Sequence, residues 1–345
     1  LSARRGSGAV AAGLAAALLA AAAHAEPADC APRLVGSAAL RWDGLRPTLA
    51  GSIDGQPVDM SVDTGALGTV VSGRLAARLR LSRQRIDAEQ VGFGGVSAAA
   101  GARLAELSLG GLRWRDVGVA VPERMAEELP DVLVGAGLLF ERDVELDGQA
   151  IRFFEPPDAF EDCLDRHPAG WAGGAPWVAT QAMGPGDPRV TVPVVVDGIA
   201  LRALVDSGSP LSMLDVSVAR RLGFDPDRPG TPSGRGGGVG AHLNTQWVGA
   251  FRAVVIGPEE VRQVALAVAD LWGRGAADLA QLGRVAGAAP APLQMILGAD
   301  FLKAHRVLFA ASQRRLYFAF AGGRVFQAMS MTRPAPAAPA VSGVD

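Results

Sequence analysis

Val62-Asp63-Thr64-Gly65-Ala66 and, 143 positions later, Val205-Asp206-Ser207-Gly208-Ser209 are the two stretches whose reading decides the fold. Each closes an apolar, strand-like run with an acid, then a small hydroxyl residue, a glycine and another small residue. Such a turn can present a carboxylate to backbone N–H groups and a hydroxyl that hold it. Taken alone, Asp-Thr-Gly is commonplace in surface turns. Its recurrence gives it weight.

The 143-residue shift, without a gap, aligns Asp54-Gly55 with Asp197-Gly198, two hairpin signals of the kind that need positive φ. It also sets Gly65, Ala76, Arg78 and Leu79 on Gly208, Ala219, Arg221 and Leu222. Val58, Met60 and Val62 alternate at strand period before the first acid, and Val190 to Val196 is strand-like before the second. A short helix is predicted after each turn, over Ser72–Leu79 and Val216–Leu222. Further on, Leu107-Ser108-Leu109-Gly110 parallels Val254-Val255-Ile256-Gly257, and Val117, Val119 and Val121 parallel Val264, Leu266 and Val268. Each copy then places two aliphatic residues before a glycine, Leu133-Val134-Gly135 and Ile296-Leu297-Gly298, and ends in aromatics, Phe153-Phe154 and Tyr317-Phe318. The second copy is longer mainly because of a Gly/Ala/Pro-rich stretch between Asp270 and Gln294, expected to be an external loop.

An internal duplication of this size sets the architecture. Short Val/Leu-rich segments with frequent turns predict an all-β fold with minor helices. The expected division is a signal segment over 1–25, a first lobe over 33–156, a polar connector over 157–176, a second lobe over 177–322 and a tail over 323–345. The tail is Pro/Ala-rich, and disorder is expected from about residue 333.

Composition limits the partners. A formal net charge of −2 over 345 residues gives no footprint for nucleic acid or an acidic membrane surface. Lys303 is the single lysine, and the arginines are scattered among acids. Arg4 and Arg5, the apolar run Ala9–Ala23 and the small-x-small site Ala23-His24-Ala25 read as an export signal, either cleaved or kept as an anchor. The run is short and Ala-rich for a membrane span, so no span is expected in the mature chain. In an exported protein Cys30 and Cys163 would most simply form one disulfide. They are too far apart for a metal site, and His24, His167, His242 and His305 are isolated, expected as surface or cap residues. No metal and no cofactor is expected.

Two Asp-Thr/Ser-Gly-Ala/Ser turns, each with its later aliphatic-aliphatic-Gly, resemble the pepsin-like and retropepsin-like aspartic peptidases over most of residues 34–321. The chain resembles, in particular, bacterial single-chain forms with two retropepsin-like lobes. The resemblance implies an active-site cleft between the lobes, with Asp63 and Asp206 as the catalytic pair. Thr64 and Ser207 would lock the turns to the opposite lobe, with Gly65, Ala66, Gly208 and Ser209 supporting them. Gly135 and Gly298 would belong to psi-shaped loops beside the turns. Two carboxylates held near contact cannot both ionise cheaply and therefore share a proton, one serving as base toward water and the other as acid toward the carbonyl. A hydroxyl donated from Ser209 to Asp206, with none from Ala66 to Asp63, would leave the shared proton more often on Asp63.

Gly-rich stretches mark two flap candidates, Gly92, Phe93, Gly94 and Gly95 in the first copy and Gly237 and Gly238 in the second. Pepsins carry a tyrosine on their flap, whereas the single tyrosine here is Tyr317, which favours the retropepsin comparison. The run from Gly236 to Ala241 lacks the strand–turn–helix setting of a dinucleotide fingerprint. Asp300 stands where the first copy has Gly137 and is expected to cap a helix. The functional expectation is an exported aspartic endopeptidase acting on a peptide or protein. The other reading is a catalytically idle binding or scaffolding module of the cell envelope. A monomer is the default, because both copies share one chain. Only about eight residues separate the signal from the first strand-like run, too few for an inhibitory pro-segment.

Overall fold

A computed structural model describes residues 32–156, 176–240, 242–271 and 293–328. Cys30 and Cys163, with the expected disulfide, lie outside the described residues. So do the signal segment and almost all of the Asp270–Gln294 insertion.

Both hairpin signals form as their chemistry requires. Asp54 and Gly55 have φ of 49° and 77°, and Asp197 and Gly198 have 47° and 88°, the left-handed pairs that a two-residue hairpin turn needs. Each aspartate also reaches sideways. Asp54 Oδ1 accepts from the Glu106 N–H at 2.7 Å, and Asp197 Oδ1 accepts from the Ala253 N–H at 2.9 Å. The same residue type thus turns the chain and pins a long neighbouring strand.

The two halves fold alike, each around an eight-stranded sheet. In the first half the strand order is Arg41–Asp43, Arg46–Ile53, Gln56–Asp63, Val132–Gly135, Val70–Val71, Leu112–Pro122, Gly95–Leu109, Arg83–Gly92. In the second it is Gln181–Ala182, Val190–Val196, Ile199–Val205, Met295–Leu297, Met213–Asp215, Glu259–Ala269, Asn244–Ile256, Ser233–Gly236. Pairing of Arg46–Ile53 with Gly95–Leu109, and of Val190–Val196 with Asn244–Ile256, curls each sheet toward a barrel. Val58, Met60 and Val62 are buried, as the period-2 alternation demands.

The helices are short. Gly73–Arg78 is capped by the Ser72 hydroxyl, which accepts from the Leu75 N–H. Val216–Arg221 is capped by Asp215. A third, six-stranded sheet joins the halves. Its order runs Arg33–Ala39, Ala150–Glu155, Asp143–Leu146, His305–Ala310, Arg315–Phe320, Trp177–Ala179. The central pair, Val144 opposite Phe309, comes from both halves. Phe153, Phe309 and Phe318 are fully buried around this sheet, and Glu145 accepts ion pairs from Arg152 and Arg306.

His305 corrects an expectation. Rather than lying at the surface, it is fully buried, stacked on Phe301, with Nδ1 2.7 Å from the Phe301 carbonyl oxygen and Nε2 2.9 Å from Glu259. A buried ring of this kind survives because both nitrogens are partnered.

Candidate active site

Strand Gln56–Asp63 runs parallel to Val132–Gly135, with Asp63 opposite Gly135, and Ile199–Val205 runs parallel to Met295–Leu297. Each acid therefore sits where a buried strand breaks into a turn. Gly65 and Ala66 N–H groups donate to Asp63 Oδ1 at 3.1 and 2.9 Å. Gly208 and Ser209 N–H groups do the same for Asp206 Oδ1 at 2.8 and 3.1 Å. The turns hold their own carboxylates, and both acids keep part of their surface open to solvent.

The glycines of the two turns follow from the pairing. A Cβ on Gly65 would lie 2.2 Å from Asp206 Cγ, and one on Gly208 would lie 2.4 Å from Asp63 Cγ. No side chain fits between each turn and the opposing acid, so the acids meet and share a hydrogen bond. Behind them, Thr64 Oγ1 donates to the Val205 carbonyl at 2.8 Å and Ser207 Oγ to the Val62 carbonyl at 2.7 Å. Thr64 and Ser207 are fully buried, and each hydroxyl also accepts the other residue's N–H at 3.0 Å.

Gly135 and Gly298 are places of close approach as well. A Cβ on Gly135 would meet the Gly68 carbonyl oxygen at 2.3 Å, and one on Gly298 the Leu211 carbonyl at 2.5 Å. Their N–H groups donate to Thr69 Oγ1 at 3.3 Å and to Ser212 Oγ at 2.9 Å, one more matched pair at the 143-residue shift. Beyond them, Asp300 corrects its expected role. Gly298 is the N-cap of Ala299–Leu302, while the buried Asp300 accepts from Ser212 N–H at 2.8 Å, Ser212 Oγ at 2.6 Å and Gln327 N–H at 3.0 Å. It ties the loop to the chain's last described segment, where Phe326 and Ala328 are buried. Burial pushes the Asp300 carboxyl up, against those donors.

The two acids are not equivalent. Burial, then the charge of Asp206, raises Asp63 to about 8, against the donors from Ala66 and Gly65. Burial also raises Asp206, but the N–H groups of Gly208 and Ser209, the Asp63 carboxyl and the Arg189 guanidinium all pull it back. These causes tilt the shared proton toward Asp63. The expected cause was wrong: Ser209 Oγ donates to the Leu211 carbonyl at 2.9 Å and not to Asp206. Ser209 contributes its backbone N–H instead.

The Gly-rich stretches meet each other over the sheets. Gly92 and Gly95 end the hairpin strands Arg83–Gly92 and Gly95–Leu109, with Phe93 and Gly94 at the tip. Gly94 N–H donates to the Val239 carbonyl at 2.9 Å, His242 N–H donates to the Gly94 carbonyl at 2.9 Å, and Asn244 Nδ2 donates to the Phe93 carbonyl. Gly237 and Gly238 stand between strands Ser233–Gly236 and Asn244–Ile256, and Gly238 accepts from the Ala126 N–H at 3.2 Å. Val239 and Gly240 lie in the same Gly-rich stretch, whereas Asn244 carries a contact that the glycine signal pointed near but did not resolve. Arg189 was missed altogether, although the same shift sets it on Arg46.

A family model described as "Aspartyl protease" matches residues 49–138 and 192–301, together more than half of the chain. In the crystal structure of an aspartic proteinase from Irpex lacteus the fold recurs with a TM-score of 0.50, at 12% identity, over 83% of this chain and 97% of that one. No curated protein sequence matches significantly.

Proposed function

The chain belongs to the aspartyl protease family, and on that premise we propose that it is an exported endopeptidase whose reacting groups are Asp63 and Asp206. The observation that carries this reading is the mutual contact of two carboxyls, each held by its own turn and each partly open to solvent.

With the proton on Asp63 and the charge on Asp206, the chemistry is assigned. Asp206 takes a proton from a water between the acids while that water's oxygen bonds to the peptide carbonyl carbon. Asp63 gives its proton to the carbonyl oxygen, leaving a neutral gem-diol. Asp206, now protonated, passes that proton to the amide nitrogen as the C–N bond breaks. Asp63 recovers the diol proton, and the products are a carboxylic acid and an amine. Burial and preorganised N–H donors lower the cost of the charge shifts, because little has to reorient as they occur.

Phe93–Gly95 and Val239–Gly240 would act as the paired cover over an extended peptide, opening by loss of the contacts between them. Export is supported by the basic start, the apolar run and the small-x-small site within residues 1–25. Among the described residues no helix is long and apolar enough to cross a membrane.

The reading is tested with a statine-bearing peptide, whose hydroxyl mimics the tetrahedral intermediate. It should raise the melting temperature of the wild type and not that of Asp63→Asn or Asp206→Asn. An equal rise in all three proteins would overturn the assignment.

A further inference from the structure

Arg46 and Arg189 occupy matching positions, each 17 residues before its acid and each at the entry to the strand that leads into the sheet. Their surroundings differ. Two residues before Arg189 stands Asp187, and the guanidinium is clamped to it, with Nε 3.0 Å from Oδ1 and Nη2 2.6 Å from Oδ2. At the corresponding place before Arg46 stands Gly44, which offers no carboxylate, and the buried Arg46 Nε has no partner.

The clamp aims Arg189. Its Nη1 lies 3.5 Å from the carbonyl oxygen of Gly65, across from its own half of the molecule. Gly65 is the residue packed against the Asp206 carboxyl, the gap between them being too small for a Cβ. The Arg189–Asp187 pair is largely buried, with side chains 26% and 17% exposed, so its field is screened less than that of a surface pair.

We propose that Arg189 is a positioning residue that breaks the symmetry of the two acids, fixing the negative charge on Asp206 and the shared proton on Asp63. Because the halves arise by duplication, the two turns are near copies, and their N–H donors match one for one. A difference between the acids must come from groups that are not duplicated. Asp187 is such a group, since it is the carboxylate that turns one of two equivalent arginines toward the site. The ionisable groups in play are Asp63 and Asp206 on the turns, and Arg189 and Asp187 on the segment leading into Val190–Val196. Arg189 acts on Asp206 in the direction of its charged form. This deepens the peptidase reading and rests on it only for the consequence that Asp206 is the base.

The test is a titration of the intact protein, carrying aspartate labelled at the side-chain carboxyl carbon, by NMR, with Asp63→Asn and Asp206→Asn assigning the two resonances. Arg189→Leu should move the lower step of the pair up by about one pH unit, since removal of a nearby opposite charge disfavours the carboxylate. Arg189→Lys should restore most of the difference, Asp187→Asn should give a smaller shift in the same sense, and Arg46→Leu should leave the titration unchanged. Should Arg189→Leu fail to fold, Arg189→Gln removes the charge while keeping a donor toward Gly65. A lower step that stays in place without the arginine, or that moves equally in Arg46→Leu, overturns the proposal. The titration needs no substrate. An intact asymmetry in a protein that cleaves no peptide would sink the peptidase reading and leave the role of Arg189 standing.

Discussion

Thr64 and Ser207, 143 residues apart, each place a hydroxyl between the other's N–H and the carbonyl of the residue just before the opposite acid. Four hydrogen bonds, all buried, thereby weld the two halves directly behind the acids.

Removal of one member leaves a buried N–H and a buried carbonyl without a partner. Ser207→Ala should cost about 2–4 kcal/mol of unfolding free energy, and Thr64→Val a similar amount. In the double variant the losses should be less than additive, because both substitutions open the same network. Chemical denaturation of the four proteins checks this, and strict additivity would argue that the two hydroxyls act separately.

Gly65→Ala should abolish turnover with little loss of fold. Its new methyl carbon must displace the Asp206 carboxyl, from which it would lie 2.2–2.5 Å. Gly208→Ala should act in the same way on Asp63. Neither glycine has a positive φ, so the penalty is local to the acids and not a matter of backbone strain. Turnover near the wild-type rate in either variant would mean that the contact between the acids is dispensable.

The raised acidity constant of Asp63 has a stability consequence with a definite sign. Its folded value, about 8, lies above the ordinary carboxylate value of 3.8, so the folded state binds the proton more tightly than the unfolded chain. The contribution is fully present below the unfolded value and is lost as pH rises through the folded one. Asp63→Asn should therefore raise the melting temperature at pH 7–9, by roughly 2–6 °C for a chain of this size, and change it little at pH 3. For the same reason kcat/KM should fall on the alkaline side as the pair loses its shared proton near pH 8. A variant no more stable than wild type at pH 8 would contradict the raised value.

The contact between the glycine-rich tips should control access. Asn244→Ala removes the bond to the Phe93 carbonyl, and Gly240→Ala puts a Cβ 2.3 Å from Gly94 backbone atoms at a φ of 114°. Both should speed amide exchange at residues 92–95 and lower kcat/KM by about tenfold, with global stability nearly unchanged. Unchanged exchange at those amides would show that the tips do not depend on each other.

Much of this was legible in the chain because duplication repeats its signals. Asp-Gly at 54–55 and 197–198, alternation before each acid, and the paired aliphatic-aliphatic-Gly all reflect local rules of turn and strand, and the folded molecule obeys them. Arg189, Asp300 and His305 were opaque for a physical reason. Each acts through partners remote in sequence or through burial, and neither leaves a periodic mark. The hydroxyl of Ser209 misled for the converse reason. A hydroxyl three residues from a carboxylate was free to choose a backbone carbonyl instead, that of Leu211.

Peptide cleavage by the paired acids is tested most directly with a mixture of unlabelled peptides, incubated with wild type, Asp63→Asn and Asp206→Asn and followed by mass spectrometry. Internal cleavage by the wild type, abolished in each variant while both remain folded, is the predicted result. Cleavage that persists in both variants, or a folded wild type that cuts nothing between pH 3 and 8, would contradict it.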